Sequence, residues 1–259
     1  MASVTRMWAM DAPTFTMDSS LLMVGTLGEI TIPVTSFLVQ HARGLVLFDT
    51  QLDPASYDED PAEVYGAGLQ GVINLRSRSE QRLDRQLKGL GFSVSDITHV
   101  IVSHLHFDHC GGARLFPEAR FYAGAGEMRH AYWPEPAGAG FFRVEELLPL
   151  RDFKWTELDN DHDLFGDGSL TVLHTPGHTP GELSMLVRLP DRNVIITGDA
   201  AHLANGFEGL VPMPFSVNTE QSVRSMRKLQ RLRAEYDAFV WVSHEPDHYK
   251  QMGAPTELR

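Results

Sequence analysis

The sequence predicts an α+β protein in which two sheets pack face to face beneath helices. Two β-rich stretches, each followed by helical sequence, suggest the layering. No Gly/Ser- or Pro-rich linker separates them, so residues 1–259 are expected to form a single domain. With 42% hydrophobic and 22% charged residues, the chain can fill such a core and is too apolar for general disorder.

In chain order, residues 1–18 carry one basic residue (Arg6) and two acidic ones (Asp11, Asp18) without a continuous apolar run, so they do not read as a signal peptide. Residues 32–40 and 44–50 are apolar and β-branched, and read as a hairpin turning near 42–44. Residues 50–79, rich in Gly, Asp, Pro and Ala, read as a long loop of the kind that is often functional. Residues 79–90 space Leu83, Leu87 and Leu90 on one helical face, closed by Gly89 and Gly91. Residues 97–103 have the pattern of a buried strand, and 120–123 and 169–174 of short strands. Residues 183–189 and 193–197 predict a second hairpin around Pro190 and Asp191. Residues 218–234 are the clearest helix: Asn218 can cap it with Gln221 reaching back, and Val223, Met226, Leu229 and Leu232 mark its buried side. Residues 238–242 form a last short strand.

Charge and cysteine content narrow the function. Asp and Glu outnumber Lys and Arg by 34 to 22, a formal net charge of -12 that repels phosphate backbones and argues against nucleic-acid binding. The single cysteine, Cys110, cannot form an intrachain disulfide, which suits a reducing compartment. No stretch approaches the roughly 20 apolar residues of a membrane span, so membrane insertion is not expected and the cytoplasm is. The basic set Arg224, Arg227, Lys228, Arg231 and Arg233 reads as a solvated helix face.

The 12 histidines are not scattered. The strand at 97–103 runs into His104-Leu105-His106-Phe107-Asp108-His109, followed by Cys110, Gly111 and Gly112. His104 and His106, two apart, face one side of an extended segment, and Asp108 continues that alternation. His109 must face elsewhere unless the chain turns, which Gly111 and Gly112 allow. The spacing can supply two ligand pairs, His104 with His106 and Asp108 with His109, to two adjacent cations. Further donors follow other apolar strands: His174 and His178, Asp199, and His244. An aspartate such as Asp199 can bridge two cations through its two oxygens. His41, His99, His130, His162 and His248 are isolated and read as structural or surface histidines.

The motifs SHLHFDHCGG (103–112), TPGHTPG (175–181), ITGDA (196–200) and VSHE (242–245), in this order, resemble the metallo-β-lactamase superfamily over nearly the whole chain. The resemblance implies a four-layer αββα sandwich and a dinuclear site. Carried over by position, it gives His104, His106 and His178 to one ion and Asp108, His109 and His244 to the other, with Asp199 bridging. Two divalent ions per chain are implied, zinc first. Within the superfamily the sequence is most similar to N-acyl-homoserine-lactone lactonases, through 32–50, Phe107 and SHEPDH (243–248). The implied activity is opening of a lactone ring by a hydroxide that the two ions share and acidify. Asp108 would carry the proton to the leaving oxygen. No G-x-S-x-G elbow competes.

Two positions depart from that family. His202 stands where these lactonases carry a tyrosine that contacts the substrate, and Gln51 where glycine is usual. His202 reads either as a donor to the substrate oxygen or as a water-exposed loop histidine. Phe107 reads as a wall of the substrate pocket or as core, and Met17, Leu21, Leu22 and Met23 as an acyl groove or as core. Cys110 reads as a small buried packing residue and His174 as a strand-end or outer-shell histidine. The partner expected is a small lactone, and a homodimer is left open. Thioesterase, phosphodiesterase or other ester hydrolysis on the same scaffold is the competing class, and a non-catalytic metal-binding protein a third. The net charge opposes a nucleic-acid phosphodiesterase, and the residues after His244 are too few for a basic thioesterase segment.

Overall fold

A computed structural model describes residues 4–136, 138–253 and 255–258. The first eighteen residues, for which the sequence predicted no element, supply strands β1 (Val4–Ala9) and β2 (Thr14–Asp18). The apolar run at 32–40 is two strands rather than one. β3 (Glu29–Pro33) pairs with β2 as a separate ribbon, and β4 (Phe37–His41) turns at 42–43 into β5 (Gly44–Phe48) as predicted. The break falls at Val34-Thr35-Ser36, where the chain leaves the ribbon for the main sheet.

The segment at 50–79 is not a bare loop. It contains α1 (Pro61–Tyr65), with Pro61 in its first turn and the Asp60 side chain accepting the Ala62 N–H, and α2 (Ala67–Ile73), closed by Asn74 at φ 36°. The predicted helix at 79–90 begins as a 3-10 turn and becomes α3 (Leu83–Gly89). Leu83 and Leu87 are buried there, whereas Leu90 at its end is exposed.

The remaining strands build two sheets. β6 (Ile97–Ile101), β7 (Arg120–Gly124) and β8 (Lys154–Leu158) run parallel beside β5, and the seven-stranded sheet has the order β14-β1-β4-β5-β6-β7-β8, β14 being Thr256–Leu258. The second sheet contains β9 (His162–Asp163), β10 (Leu170–His174), β11 (Leu183–Arg188), β12 (Asn193–Ile196) and β13 (Ala238–Trp241), in the order β13-β12-β11-β10-β9. The β11–β12 hairpin turns where Pro190 and Asp191 predicted.

Strand alternation explains the layers. Phe37, Val39, Val46 and Phe48 of one sheet meet Val172, Met185, Val194 and Trp241 of the other in a common core. The intervening residues face outward. Leu38, Leu47 and Val100 pack with Leu83 and Leu87 of α3. Leu186, Ile195 and Val240 pack with Met226 and Leu229 of α8 (Thr219–Tyr236). The result is helix, sheet, sheet, helix, the αββα order expected. Asn218 caps α8 by accepting the Gln221 backbone N–H, and Asp237 at φ 47° closes it after Tyr236, two residues past the predicted limit. Val223 and Leu232 are only partly buried. Shorter helices, α4 (Phe107–Cys110), α5 (Glu127–Tyr132), α6 (Val144–Leu147), α7 (Ala204–Gly209) and α9 (Pro246–Gln251), fill the connections. Among the described residues, no helix is long and apolar enough to cross a membrane.

Candidate metal centre

The histidine motif begins where β6 ends, and a buried carboxylate fixes its start. Asp49, just past β5 at φ 59°, accepts the Ser103 N–H at 2.7 Å and the Ser103 hydroxyl at 2.9 Å, and lies 2.8 Å from His109 Nδ1. His104 Nδ1 stands 3.0 Å from Ser103 Oγ and 3.2 Å from Glu182 Oε2. The strand-like alternation expected for Asp108 stops at His106, which is the N-cap of α4. The helical turn that follows carries both Asp108 and His109, so His109 joins the site without a reversal at the glycines. Gly111 and Gly112 instead allow close packing. A Cβ at Gly112 would lie 2.3 Å from Thr50 O, and one at Gly111 2.5 Å from Asp53 N.

The other donors arrive on three loops. His178 follows Gly177, whose φ of +145° and 2.2 Å approach of its missing Cβ to Ser222 N fit the loop to the start of α8. Asp199 lies in the turn Gly198–Ala200 after β12, and its N–H donates to Glu182 Oε1 at 2.8 Å. His244 follows β13 and directs Nδ1 to the Pro33 carbonyl at 2.9 Å. Glu127, fully buried at the start of α5, accepts Leu105 N–H at 2.9 Å and Gly181 N–H at 3.1 Å, and so ties the 104–109 segment to the His178 loop.

These loops bring the sequence-predicted donors into two adjoining sets. His104, His106 and His178 form one and Asp108, His109 and His244 the other, with donor atoms in each within 4.8 Å of one another. Asp199 lies between them. Its Oδ2 is 3.7 Å from His104 Nε2 and 3.6 Å from His178 Nε2, and its Oδ1 is 3.5 Å from His109 Nε2 and 3.1 Å from His244 Nε2. His104 Nε2, His109 Nε2 and Asp199 Oδ1 are buried without a hydrogen-bond partner. Buried orphans of this kind are costly unless something binds them. Three aligned nitrogens with a bridging carboxylate suit divalent cations, so the donor set fits two of them.

Electrostatics agree with that fit. Burial holds His104 and His106 well below the usual imidazole range and His178 at about 3, so all three are neutral with lone pairs free. Burial would also lower His109 and His244, but Asp199 and Asp108, joined at His109 by Asp49, outweigh it and raise both. Burial would raise Asp199, but His202, His109 and His244 together outweigh it and hold its carboxyl well below the usual range. The second set thus holds protons on His109 and His244 against Asp108 and Asp199, protons that bound cations would displace.

A cavity of about 180 Å³ opens above the donors. Met17, Leu21 and Leu22 line it as the groove reading required; Met23 is not among its lining residues. Phe107 is buried at the cavity. Its ring packs against Phe15 and Tyr65 at 5.8 and 5.1 Å, and it lines the cavity. The water-exposed reading of His202 is corrected, since the side chain is buried and lines the same cavity. Cys110 is buried with Sγ 3.4 Å from Leu105 O, its thiol pushed up by burial. His174 joins none of the donor sets among the described residues. His41 lies 3.0 Å from Asp167 and stacks on Phe165, away from the site. The α8 bases include Arg224 on Glu220, Arg233 on Glu208 and Lys228 on Asp161.

The sequence reading missed Asp49, Glu127 and Glu182. Their only signal was a carboxylate adjoining an apolar or glycine-rich run, FDT at 48–50 and PGE at 180–182.

The sequence pattern of the Metallo-beta-lactamase superfamily matches residues 31–244. The N-acyl homoserine lactonases AttM of Rhizobium radiobacter and of Azorhizobium caulinodans are each 34% identical to this chain, covering 86% of it and 86% of themselves. N-acyl homoserine lactonase AiiA of Bacillus thuringiensis subsp. kurstaki is 27% identical, covering 85% and 84%. A crystal structure of a B. thuringiensis AiiA variant with N-decanoyl-L-homoserine bound at its active site shares the fold with a TM-score of 0.86 at 23% identity, covering 99% of this chain and 100% of that one.

Proposed function

The chain belongs to the metallo-beta-lactamase superfamily, in the branch of the N-acyl homoserine lactonases, and on that footing we propose that it is a metal-dependent hydrolase opening the lactone ring of N-acyl homoserine lactones. The observation that carries the reading is the pair of donor sets joined by the two oxygens of Asp199 beneath an apolar cavity. His104, His106, His178 and Asp199 Oδ2 would hold one cation, and Asp108, His109, His244 and Asp199 Oδ1 the other. Zinc is the proposed metal, because nitrogen-rich sets with carboxylates suit it. When bound, the two cations acidify water and polarise a carbonyl.

The chain's own residues do the rest. Leu21, Leu22 and Met17 would take the apolar acyl chain, and the Phe107 ring would wall the ring-bearing end. Water adds to the lactone carbonyl carbon and gives up a proton, the ring bond from that carbon to oxygen breaks, and the freed ring oxygen takes up a proton. Asp108 lines the cavity and would ligate through one oxygen, leaving its other oxygen to carry the proton from the water to the ring oxygen. Asp49 holds the ring of His109 in place, and Glu182 fixes the Asp199 turn by accepting its backbone N–H. A small lactone is thus the proposed partner.

A substrate panel tests this. Proton release would be followed with zinc-loaded protein on homoserine lactones of several acyl lengths, simple γ- and δ-lactones, a thioester and a phosphodiester. Turnover of the acyl homoserine lactones well above all others is expected. Turnover of the thioester or phosphodiester alone would defeat the reading.

A further inference from the structure

We propose that His202 is itself a metal ligand, its Nε2 a further donor to the cation shared by His178 and Asp199. This rests on the dinuclear reading above. It replaces the expectation that His202 donates to the substrate.

His202 lies three residues past Asp199, beyond the turn Gly198–Ala200, with its side chain 4% exposed. Its Nε2 stands 2.9 Å from Asp199 Oδ2, the oxygen that His104 Nε2 and His178 Nε2 also approach. His178, Asp199 and His202 form a donor trio of their own, all within 4.8 Å. The His202 ring sits 4.9 Å from that of His178 and 5.6 Å from that of His244.

Coordination geometry accounts for these separations. With metal–ligand bonds of about 2.0–2.1 Å, two donors at right angles are about 2.9 Å apart and two at the tetrahedral angle about 3.4 Å apart. The His202 contact with Asp199 has the first value, and those of His104 and His178 lie nearer the second. A five-donor ion presents right angles together with angles up to about 120°, which put donors about 3.6 Å apart. A hydrogen bond would explain the 2.9 Å contact alone, whereas coordination also explains the shared reach of the trio. The chemistry of the residue agrees. A phenol, ionising near about pH 10, presents a proton at neutral pH, while an imidazole can present a lone pair. Histidine at this position therefore exchanges a donor toward substrate for a donor toward metal. One cation gains five protein ligands and the other keeps four, so the two should be released in sequence under chelation.

Cobalt(II) is the probe, because its visible d–d bands weaken as coordination number rises. In wild type the more tightly held cobalt should give the weak bands of an ion with more than four donors. His202→Phe should strengthen those bands and lower the affinity for that ion by more than the roughly 10–100-fold that losing an outer hydrogen-bond partner costs. Unchanged bands would overturn the proposal. If affinity fell with the bands unchanged, His202 would be only a hydrogen-bond partner of Asp199. Wild type alone supplies a second measurement should the variant not fold. With 113Cd and 15N-histidine, six cadmium-coupled imidazoles support the proposal. Five couplings with two ions bound overturn it and leave the dinuclear reading standing. Fewer than two bound ions in wild type overturn both.

Discussion

At the scale of single residues, the donors were legible and their supports were not. His104, His106, Asp108 and His109 fall within one short segment after an apolar strand, so composition and spacing announce them. Asp108 is the residue whose removal separates ligation from proton transfer. Asp108→Asn keeps the shape and an oxygen donor but cannot carry the proton, so kcat should fall by at least about 10². Steady-state rates measured with metal content matched to wild type check this, and wild-type turnover would remove Asp108 from the chemistry. A second expectation concerns acid. Burial depresses His178 to about 3 and His104 and His106 well below the usual imidazole range, so the unfolded chain binds protons that the folded chain refuses. Their contribution to stability is full above the unfolded value of about 6.5 and is lost as pH falls toward about 3. His109 and His244 are raised and act oppositely, but lie above that window. Burial raises Glu127, Glu146 and Glu182, which act oppositely within that window, so the check is a difference: urea midpoints of metal-free wild type should lose more between pH 7 and pH 4 than those of a variant with His104, His106 and His178 replaced by Gln, and equal losses would contradict the burial argument. Asp49, Glu127 and Glu182 left no comparable trace. A carboxylate becomes a support only through what folds against it, and their partners lie up to 60 residues away along the chain.

At the scale of elements, strand endings were read well and the chain between them poorly. The β4–β5 and β11–β12 hairpins and helix α8 stand where periodicity and turn residues put them. The ribbon β2–β3 and helices α1 and α2 were missed, because short elements packed on one another owe their form to tertiary contacts more than to local pattern. The contact of β7 with the His178 loop shows how tightly elements govern the site. A Cβ at Gly124 would lie 2.0 Å from Gly181 O, and one at Gly181 2.5 Å from Glu127 Cβ. Gly124→Ala must push that loop aside. It should destabilise the fold by about 1–3 kcal/mol, the usual cost of overpacking, and weaken metal binding through His178. Thermal melts paired with zinc titrations check both effects. An unchanged melting temperature would mean that the loop yields freely.

At the scale of the whole molecule, the site is an adhesive for the fold. Its donors come from loops of both sheets: His104 follows β6 of one, and Asp199 and His244 follow β12 and β13 of the other. Cations bound there would cross-link the two layers and stabilise the folded chain to the extent that they prefer it to the unfolded one. Zinc at about 100 times its Kd should add about 2.7 kcal/mol per site, so chelation should lower the melting temperature. Metal analysis after dialysis against chelator-free buffer should give two ions per chain. One ion despite added zinc would end the dinuclear reading. The cavity wall is made of other material. Phe15, Met17, Ile32 and Ile73 line it and belong to a cluster built from the ribbon and from α1 and α2, apart from the core between the sheets. Substitutions in that cluster can reshape what enters the cavity while the cross-linking loops keep their places. On the proposed function, substitutions on the ribbon and α2 side of that cluster should shift which lactones are opened more than how the ring is opened.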